Sequence, residues 1–178
     1  PLPADLGVGG RGVAPNTDVP AAAGREGHTG VLGDAHLRSS HPDVLAAGDV
    51  ANAQHPLLGR RVRVEHWDTA IGQGRAAART MLGAGEPYTR LPYFFTDQYD
   101  LGMEYVGSVG PEGYDDVVLR GDVAGRVFTA FWLSGGKVVA GMHANDWDAI
   151  DDVRRIVIAG AVDLAALRDG STPLSDVG

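Results

Sequence analysis

Five strand-like segments between residues 93 and 143 constrain the fold more than any other feature of the chain. They are rich in aromatic and β-branched residues, and turn signals such as Gly110-Pro111 and Gly135-Gly136 separate them. The segments span residues 93–99, 101–109, 114–120, 126–133 and 137–143. An antiparallel meander is the simplest arrangement that pairs them.

One of these strands, residues 127–133, is apolar on both faces, so we expect both faces to be covered. A helix that Asp146 or Asp148 would cap, and that Gly160 would end, supplies one cover. Its apolar residues recur at helical spacing. They are Ile150, Val153, Ile156 and Val157. The other cover would come from a preceding domain or from another chain.

The chain before residue 88 has a different character. Residues 66–82 show a helical apolar pattern rich in alanine, and Gly83 is a natural residue to end the helix. Residues 83–87 read as a linker. The sequence therefore predicts two domains, residues 1–87 and residues 88–178.

Two short strands are predicted in the first domain, at residues 30–33 and 44–47, and the second of them ends in Gly48-Asp49-Val50. Residues 6–16 read as a short buried strand followed by a glycine-rich loop. The glycines of that loop do not fit the spacing of a phosphate-binding fingerprint, so we interpret it as a crossing between domains. The predicted fold is α/β followed by α+β: part of a Rossmann-like domain, then an antiparallel sheet.

Composition excludes several classes of function. No apolar run approaches the roughly 20 residues that span a bilayer. Neither a signal peptide nor an initiator Met is visible, so we expect a fragment whose earlier part is missing. Cysteine is absent, which favours the cytosol and means that any redox chemistry uses a cofactor. The net charge of −8 argues against nucleic-acid and anionic-membrane partners.

Positive charge is nevertheless concentrated in one stretch of the chain. Between Arg60 and Arg90, six arginines stand against three carboxylates, which gives this stretch +3 and leaves −11 for the remainder. The six histidines show no helical spacing that would build a metal site, and no serine nucleophile motif is present.

The segment Ala46–Asn52 has the pattern most typical of a ligand site. Small residues that lead into Gly48-Asp49 let the backbone approach a ligand, while the carboxylate accepts hydrogen bonds from hydroxyl groups. A common surface turn is the alternative. A helix that begins near His66 would present unpaired N–H groups and about half a positive charge to a neighbouring ligand.

Three motifs occur in order along the chain: DVLAAGDVAN, then HPLLGRRVRVEHWDTAIGQGRAAARTML, then LPYFFTDQYDLGMEYVG. Together they resemble the carboxy-terminal region of bacterial NADH-dependent ferredoxin reductases, which are FAD-dependent pyridine nucleotide oxidoreductases. The resemblance covers nearly the whole chain, from the crossing segment near Ala4 onward. It implies an FAD flavoprotein that carries electrons from NADH to a ferredoxin of an oxygenase system.

The resemblance also implies the residues that meet the cofactor. Asp49 would bind the ribityl or pyrophosphate region of FAD, and the backbone of Trp67 would lie at the isoalloxazine ring. Phe95 stands where many relatives have Trp. The full set implied at the cofactor is Gly48, Asp49, Val50, Glu65, His66, Trp67 and Phe95. Both dinucleotide fingerprints of the family are missing, so the chain is expected to be inactive alone.

Ferredoxins are generally acidic, so the arginine-rich stretch is a candidate docking surface. Arg75 and Arg79 share one helix face, and Arg60, Arg61 and Arg63 are expected on the loop that leads into that helix. Ordinary solvated arginines are the alternative.

Two other functions remain open. Residues 88–178 could be a noncatalytic interaction or dimerisation module attached to a truncated reductase. A disulfide reductase is less favoured, because the second domain is expected to lack that family's paired His and Glu.

Overall fold

Two β-sheets, each with its own helices, form the part of the chain that the computed structural model describes, namely residues 3, 5–10, 12–22 and 29–178. The strands are β1 Val31–Gly33, β2 Ala51–His55, β3 Arg60–Arg63, β4 Tyr93–Gln98, β5 Leu101–Gly107, β6 Asp116–Asp122, β7 Val127–Ser134 and β8 Lys137–Ala144. The α-helices are α1 Asp18–Ala22, α2 Trp67–Met81, α3 Ile150–Ala159 and α4 Leu164–Arg168. This is the predicted α/β unit followed by an antiparallel α+β unit.

The first sheet has the order β1-β2-β3, with β1 parallel to β2 and β2 antiparallel to β3. Helix α2 covers it, because Ala77 packs with Leu37 and Ala53 in one buried cluster. The strand predicted at residues 44–47 is wrong. That segment contributes an isolated bridge at Leu45, and Gly48–Val50 is a 3-10 turn that leads into β2. The small residues of this segment favour a strand only weakly. The residues that follow them alternate between buried and half-buried side chains, and they form β2.

The buried strand predicted at the start of residues 6–16 is also not observed. Leu6 and Val8 are 82% and 95% exposed, and the residues described in this segment form no strand. A strand needs a neighbour that satisfies its backbone groups, and none of the described strands lies beside this segment. Arg11 and Ala4 lie outside the described residues.

Helix α2 matches the predicted helix to within one residue at each end. Gly83 has a φ of 77°, and the N–H of Ala84 donates to the carbonyl of Arg79 at 3.0 Å, so the helix ends in the manner that a glycine permits. An irregular segment then runs from Leu82 to Pro92 and brings the chain to β4.

The second sheet contains all five predicted strands in the order β4-β5-β8-β7-β6, and every pair is antiparallel. The antiparallel prediction is confirmed, but the simple meander is wrong, because β8 lies between β5 and β7. Strand β8 is buried along most of its length, which is what a central strand requires. Turn signals mark where strands end, but they do not say which edges pair.

Helix α3 covers one face of this sheet, as predicted. Val153, Ile156 and Val157 are buried with Phe131 of β7 in the main core. Gly160 has a φ of 65° and ends the helix as expected. The predicted caps are wrong: Ala149 is the N-cap and makes no side-chain cap bond, and the N–H of Ala149 instead donates to the carbonyl of Asp146 in a turn before the helix.

The opposite face of β7 is covered less completely than its apolar sequence predicts. Ala130 is buried, but Phe128 and Trp132 are half-buried. The Trp132 ring packs against Tyr105 of β5 with ring centroids 5.6 Å apart. Aromatic side chains of the sheet itself thus supply part of the second cover.

None of the described helices is long and apolar enough to cross a bilayer.

Candidate functional site

The Gly48–Val50 turn is fixed to the middle of α2. The N–H of Gly48 donates to Oε1 of the buried Gln73 at 2.8 Å. Gly48 has a φ of 76°, and a Cβ at this position would lie 3.4 Å from the Cβ of Ala70. Glycine therefore serves both the backbone conformation and the close approach to the helix. Gln73 was not singled out from the sequence, because one Gln on a helix carries no motif.

Asp49 presents a free carboxylate beside this turn. Its side chain is exposed and makes no hydrogen bond or ion pair within the described part of the chain, whereas its carbonyl accepts from Arg63 Nη1 at 3.2 Å. The carboxylate is close enough to His66 to act on that ring electrostatically. It is therefore available to accept hydrogen bonds from a ligand's hydroxyl groups.

The amino terminus of α2 lies next to this carboxylate. His66 is the N-cap but makes no side-chain cap bond, and the first intrahelical bond is from the N–H of Ala70 to the carbonyl of His66 at 3.0 Å. The N–H groups of residues 67–69 have no partner among the described residues. The Trp67 side chain is 73% exposed. An uncapped helix terminus carries about half a positive charge and suits an anionic or electron-accepting ligand.

His66 links the amino terminus of α2 to the second sheet at this point. Its ring packs on Phe94 with ring centroids 4.7 Å apart, and Phe94 stacks in turn on Tyr105 at 4.9 Å. Burial lowers the pKa of His66, against the carboxylates of Asp49, Asp68 and Glu65, which raise it. The Nδ1 atom is buried and has no hydrogen-bond partner within the described residues. The ring is thus neutral near pH 7 and has an unused polar atom.

Two clefts flank the segment from Glu65 to Asp68. One, of about 590 Å³, lies between Arg63–His66 and the aromatic residues Phe94 and Tyr105. The other, of about 300 Å³, includes Trp67 and both Phe94 and Phe95. Phe95 is 52% exposed, so it is available to a ligand. Phe94 was missed in the sequence, although the alternation of side chains along β4 distinguishes it from Phe95.

The five arginines of the predicted docking surface fall into two groups. Arg60, Arg61 and Arg63 lie on β3 and not on a loop, so that expectation is wrong. The alternation of side chains along a strand places Arg60 on the face opposite Arg61 and Arg63. Arg60 donates to Ser108 Oγ at 2.6 Å, Arg61 donates to the Gly33 carbonyl, and Arg63 pairs with Glu65.

Arg75 and Arg79 form the second group. Both are exposed on α2 and have no ion pair within the described residues. They line a cleft of about 340 Å³ together with Tyr88 and Arg90. They are therefore the members of the predicted surface whose charge is available to a partner.

The second sheet contains a paired His and Glu that the sequence analysis did not predict. His143 Nε2 lies 2.7 Å from Glu104 Oε2, and Tyr93 donates to Oε1 of the same carboxylate. Burial raises the pKa of Glu104, but the hydrogen bonds from Tyr93 and His143 lower it overall. The His143 ring is fully buried under α3, so it is not an accessible base for a disulfide substrate. The register between β5 and β8 places Glu104 beside His143, and this register cannot be predicted from the sequence alone.

Within the described residues, no group of three or more His, Asp or Glu side chains is arranged to hold a metal ion. His28 lies outside those residues.

The polar and aromatic groups around the amino terminus of α2 are chemically suited to bind FAD. The free carboxylate of Asp49 can accept from sugar-like hydroxyls, and the uncapped N–H groups can face an electron-rich ring edge. The exposed Trp67 and Phe95 rings are surfaces that a bound ring would cover. The predicted residues Gly48, Asp49, Val50, Glu65, His66 and Trp67 lie around this helix terminus, and Phe95 lines the adjoining cleft.

Comparison with known families defines the class. Residues 2–74 match the pyridine nucleotide-disulphide oxidoreductase family, and residues 93–178 match the reductase C-terminal family. The chain is thus an oxidoreductase portion that joins these two domain types.

Relatives define the family further. The chain is 40% identical over 160 residues to the ferredoxin–NAD(+) reductase component of the anthranilate 1,2-dioxygenase system of Burkholderia cepacia, covering 89% of this chain and 39% of the relative. It is 33% identical over 177 residues to putidaredoxin reductase of Pseudomonas putida, covering 99% and 42%. The chain therefore belongs to the ferredoxin reductase family and corresponds to its carboxy-terminal part.

Solved structures agree with this assignment. The putidaredoxin reductase–putidaredoxin complex superposes with a TM-score of 0.88 at 34% identity and covers 98% of this chain and 42% of that one. The ferredoxin reductase for the CYP199A2 system of Rhodopseudomonas palustris gives 0.86 at 34% identity, covering 93% and 41%. The chain spans about two fifths of the length of these relatives.

Proposed function

We propose that this chain is the flavin-proximal and ferredoxin-docking part of an FAD-dependent oxidoreductase that passes electrons from NADH to a ferredoxin of an oxygenase system. One observation carries the proposal: the free Asp49 carboxylate and the uncapped amino terminus of α2 lie side by side. When bound, FAD would accept a hydride from NADH as an electron pair and release electrons singly. The chain's own residues bind the cofactor and set the electrostatic potential around it.

Each cofactor residue has a role in this proposal. Gly48 and Val50 hold the turn that presents Asp49, and Asp49 accepts hydrogen bonds from the hydroxyl chain of the flavin. Glu65, His66 and Trp67 form the approach to α2, whose backbone N–H groups stabilise negative charge on the ring. An interaction of this kind contributes about 0.3–1 kcal/mol when exposed and up to about 2 kcal/mol when partly buried.

Phe95 supplies an apolar face at the adjoining cleft. Because Phe lacks the indole N–H of Trp, its role here is stacking against the flavin or nicotinamide and not hydrogen bonding. Its 52% exposure leaves room for such a contact.

We place the domain boundary between residues 87 and 88, which the irregular segment between α2 and β4 supports. Residues 1–87 then form part of the FAD-binding domain, and residues 88–178 form the reductase C-terminal domain. We also place the protein in the cytoplasm, a proposal supported by the absence of cysteine.

The ferredoxin docks, in this proposal, at the arginine-rich stretch. Arg75 and Arg79 contact the partner, while Arg60, Arg61 and Arg63, held by their own chain, add positive potential nearby. The solved complex of putidaredoxin reductase with putidaredoxin supports a ferredoxin partner. A protein of net charge −8 needs such a local positive surface to attract an acidic protein.

The test uses a hybrid reductase, in which about the first three fifths of P. putida putidaredoxin reductase precede this chain. Arg75→Glu and Arg79→Glu should raise the apparent KM for putidaredoxin and weaken its salt dependence, because surface charges act mainly on association. Reduction of ferricyanide, a small acceptor, should change little. Lys137→Glu, at the first residue of β8, is the matched charge control.

Equal losses of putidaredoxin and ferricyanide turnover, or no change in either, would show that Arg75 and Arg79 do not form the docking surface. A hybrid that retains FAD but does not reduce putidaredoxin would contradict the proposed function itself.

A further inference from the structure

Two carboxylates flank the amino terminus of α2, and an arginine holds each of them. Glu65, two residues before the helix, lies 2.6 Å from Arg63 Nη1. Asp68, in the first helical turn, accepts from Arg90 Nε at 2.7 Å and from Arg90 Nη2 at 2.5 Å. Arg63 comes from β3 and Arg90 from the segment before β4, so the two arginines approach from different elements.

The charge balance at this terminus depends on those arginines. The helix end carries about +0.5 charge, so one uncompensated carboxylate in its first turn would reverse the local sign. The Asp68 side chain is 20% exposed, and solvent therefore screens it only in part. The two-point contact with Arg90 is the geometry in which a guanidinium group best neutralises a carboxylate.

The position of Arg90 is supported by its neighbours. A Cβ on Gly72 of α2 would lie 3.3 Å from Arg90 Cδ, so the arginine stem lies against the helix where a glycine admits it. The carbonyl of Arg90 also accepts from the buried His55 Nε2 at 3.0 Å. Arg90 is therefore held against both α2 and β2.

We propose that Arg63 and Arg90 keep the amino terminus of α2 electropositive by cancelling the charges of Glu65 and Asp68, and thereby raise the reduction potential of the flavin bound there. The second half rests on the proposed function. Both arginines are positioning residues, since they act through the helix terminus and need not touch the ring. Arg63 thereby has a role at the cofactor in addition to the docking role predicted from sequence.

The first half can be tested in the 178-residue chain without any cofactor, because His66 reports the local potential. The carboxylates of Asp49, Asp68 and Glu65 all act to raise the pKa of its ring. In an NMR titration of His66, Arg90→Gln should raise its pKa, since Asp68 would act uncompensated. Asp68→Asn should lower it, and the double variant should return close to the unmodified chain.

Arg79→Gln is the matched control, because it also removes one positive charge. Arg79 lies on α2, about 18 Å along the helix axis from Trp67 at the amino terminus. It should leave the pKa of His66 unchanged. If Arg90→Gln and Arg79→Gln give the same pKa for His66, the charge cancellation does not exist and the proposal is overturned.

The second half is tested by the flavin midpoint potential of the hybrid reductase, measured by spectroelectrochemical titration. Arg63→Gln and Arg90→Gln should shift the potential to more negative values and Asp68→Asn to more positive values, with Arg79→Gln unchanged. Identical potentials in variants that retain FAD would overturn the tuning role and leave flavin binding intact. A folded hybrid without FAD would overturn the proposed function, while the His66 titration would still decide whether the cancellation occurs.

Discussion

At the scale of single residues, burial determines how this protein responds to acid. Burial lowers the pKa of both His55 and His66 from the ordinary value of 6.5. His55 is 2% exposed, and its Nδ1 lies 3.4 Å from the N–H of Leu58. Together with the Nε2 contact to the Arg90 carbonyl, this arrangement fits a neutral ring that donates through Nε2.

We predict that the protein loses stability as pH falls below 6.5. In that range the unfolded chain binds protons on these histidines and the folded chain does not, so protonation favours unfolding. The free energy of unfolding in urea should therefore decrease through this window. His66→Gln should reduce the slope, whereas His41→Gln, at an exposed histidine, should retain it. A flat profile from pH 7 downward would be inconsistent with buried neutral histidines.

Individual residues also show where sequence reasoning ends. Gly48 and Asp49 can be recognised from a short motif, and so can the helix that begins beside His66. The Glu104–His143 pair and the Asp68–Arg90 pair cannot, since their members are 39 and 22 residues apart. Strand register and the path of the linker bring them together, and neither is encoded in a local pattern.

At the scale of elements, α2 connects the sheet of the first domain to the site. Its buried residues face the sheet and the Gly48 turn, and its exposed face carries Arg75 and Arg79. Two glycines lie in its middle with different surroundings. A Cβ on Gly74 would meet nothing within 4 Å, whereas a Cβ on Gly72 would lie 3.0 Å from Tyr88 Oη.

We predict that Gly74→Ala raises the free energy of unfolding by about 1 kcal/mol, because alanine is the better helix former and the space is open. Gly72→Ala gains the same propensity but must displace Tyr88 and Arg90, so it should give no gain. Urea unfolding of both variants under one set of conditions makes the comparison. Equal stabilisation by both would mean that Tyr88 and Arg90 do not pack on α2 as described.

The elements of the second domain illustrate the limit of periodicity. All five strands and α3 follow from patterns of apolar residues and turns, because those patterns are local. The position of β8 between β5 and β7 does not follow, since it depends on long-range pairing. Helix α3 likewise begins after a turn at Asp146 and Ala149, where the sequence suggested an aspartate cap.

At the scale of the whole molecule, the proposed flavin site is lined by residues of both the first and the second unit of the fold. The first contributes Asp49 and the amino terminus of α2, and the second contributes Phe94, Phe95 and Tyr105. The contacts of Arg60 with Ser108 and of Arg90 with Asp68 hold these parts together. The chain spans about two fifths of the length of its relatives, so the binding of FAD is tested in the hybrid reductase and not in this chain alone.

The most direct test of the central claim is the amount of FAD bound per polypeptide in the hybrid reductase, measured by absorbance after gel filtration. Asp49→Ala should lower the FAD content, because it removes the free carboxylate beside α2. Asp43→Ala, which removes an exposed carboxylate six residues earlier, should leave the FAD content unchanged. Equal FAD content in the two folded variants would contradict the assignment of the flavin to this turn and helix.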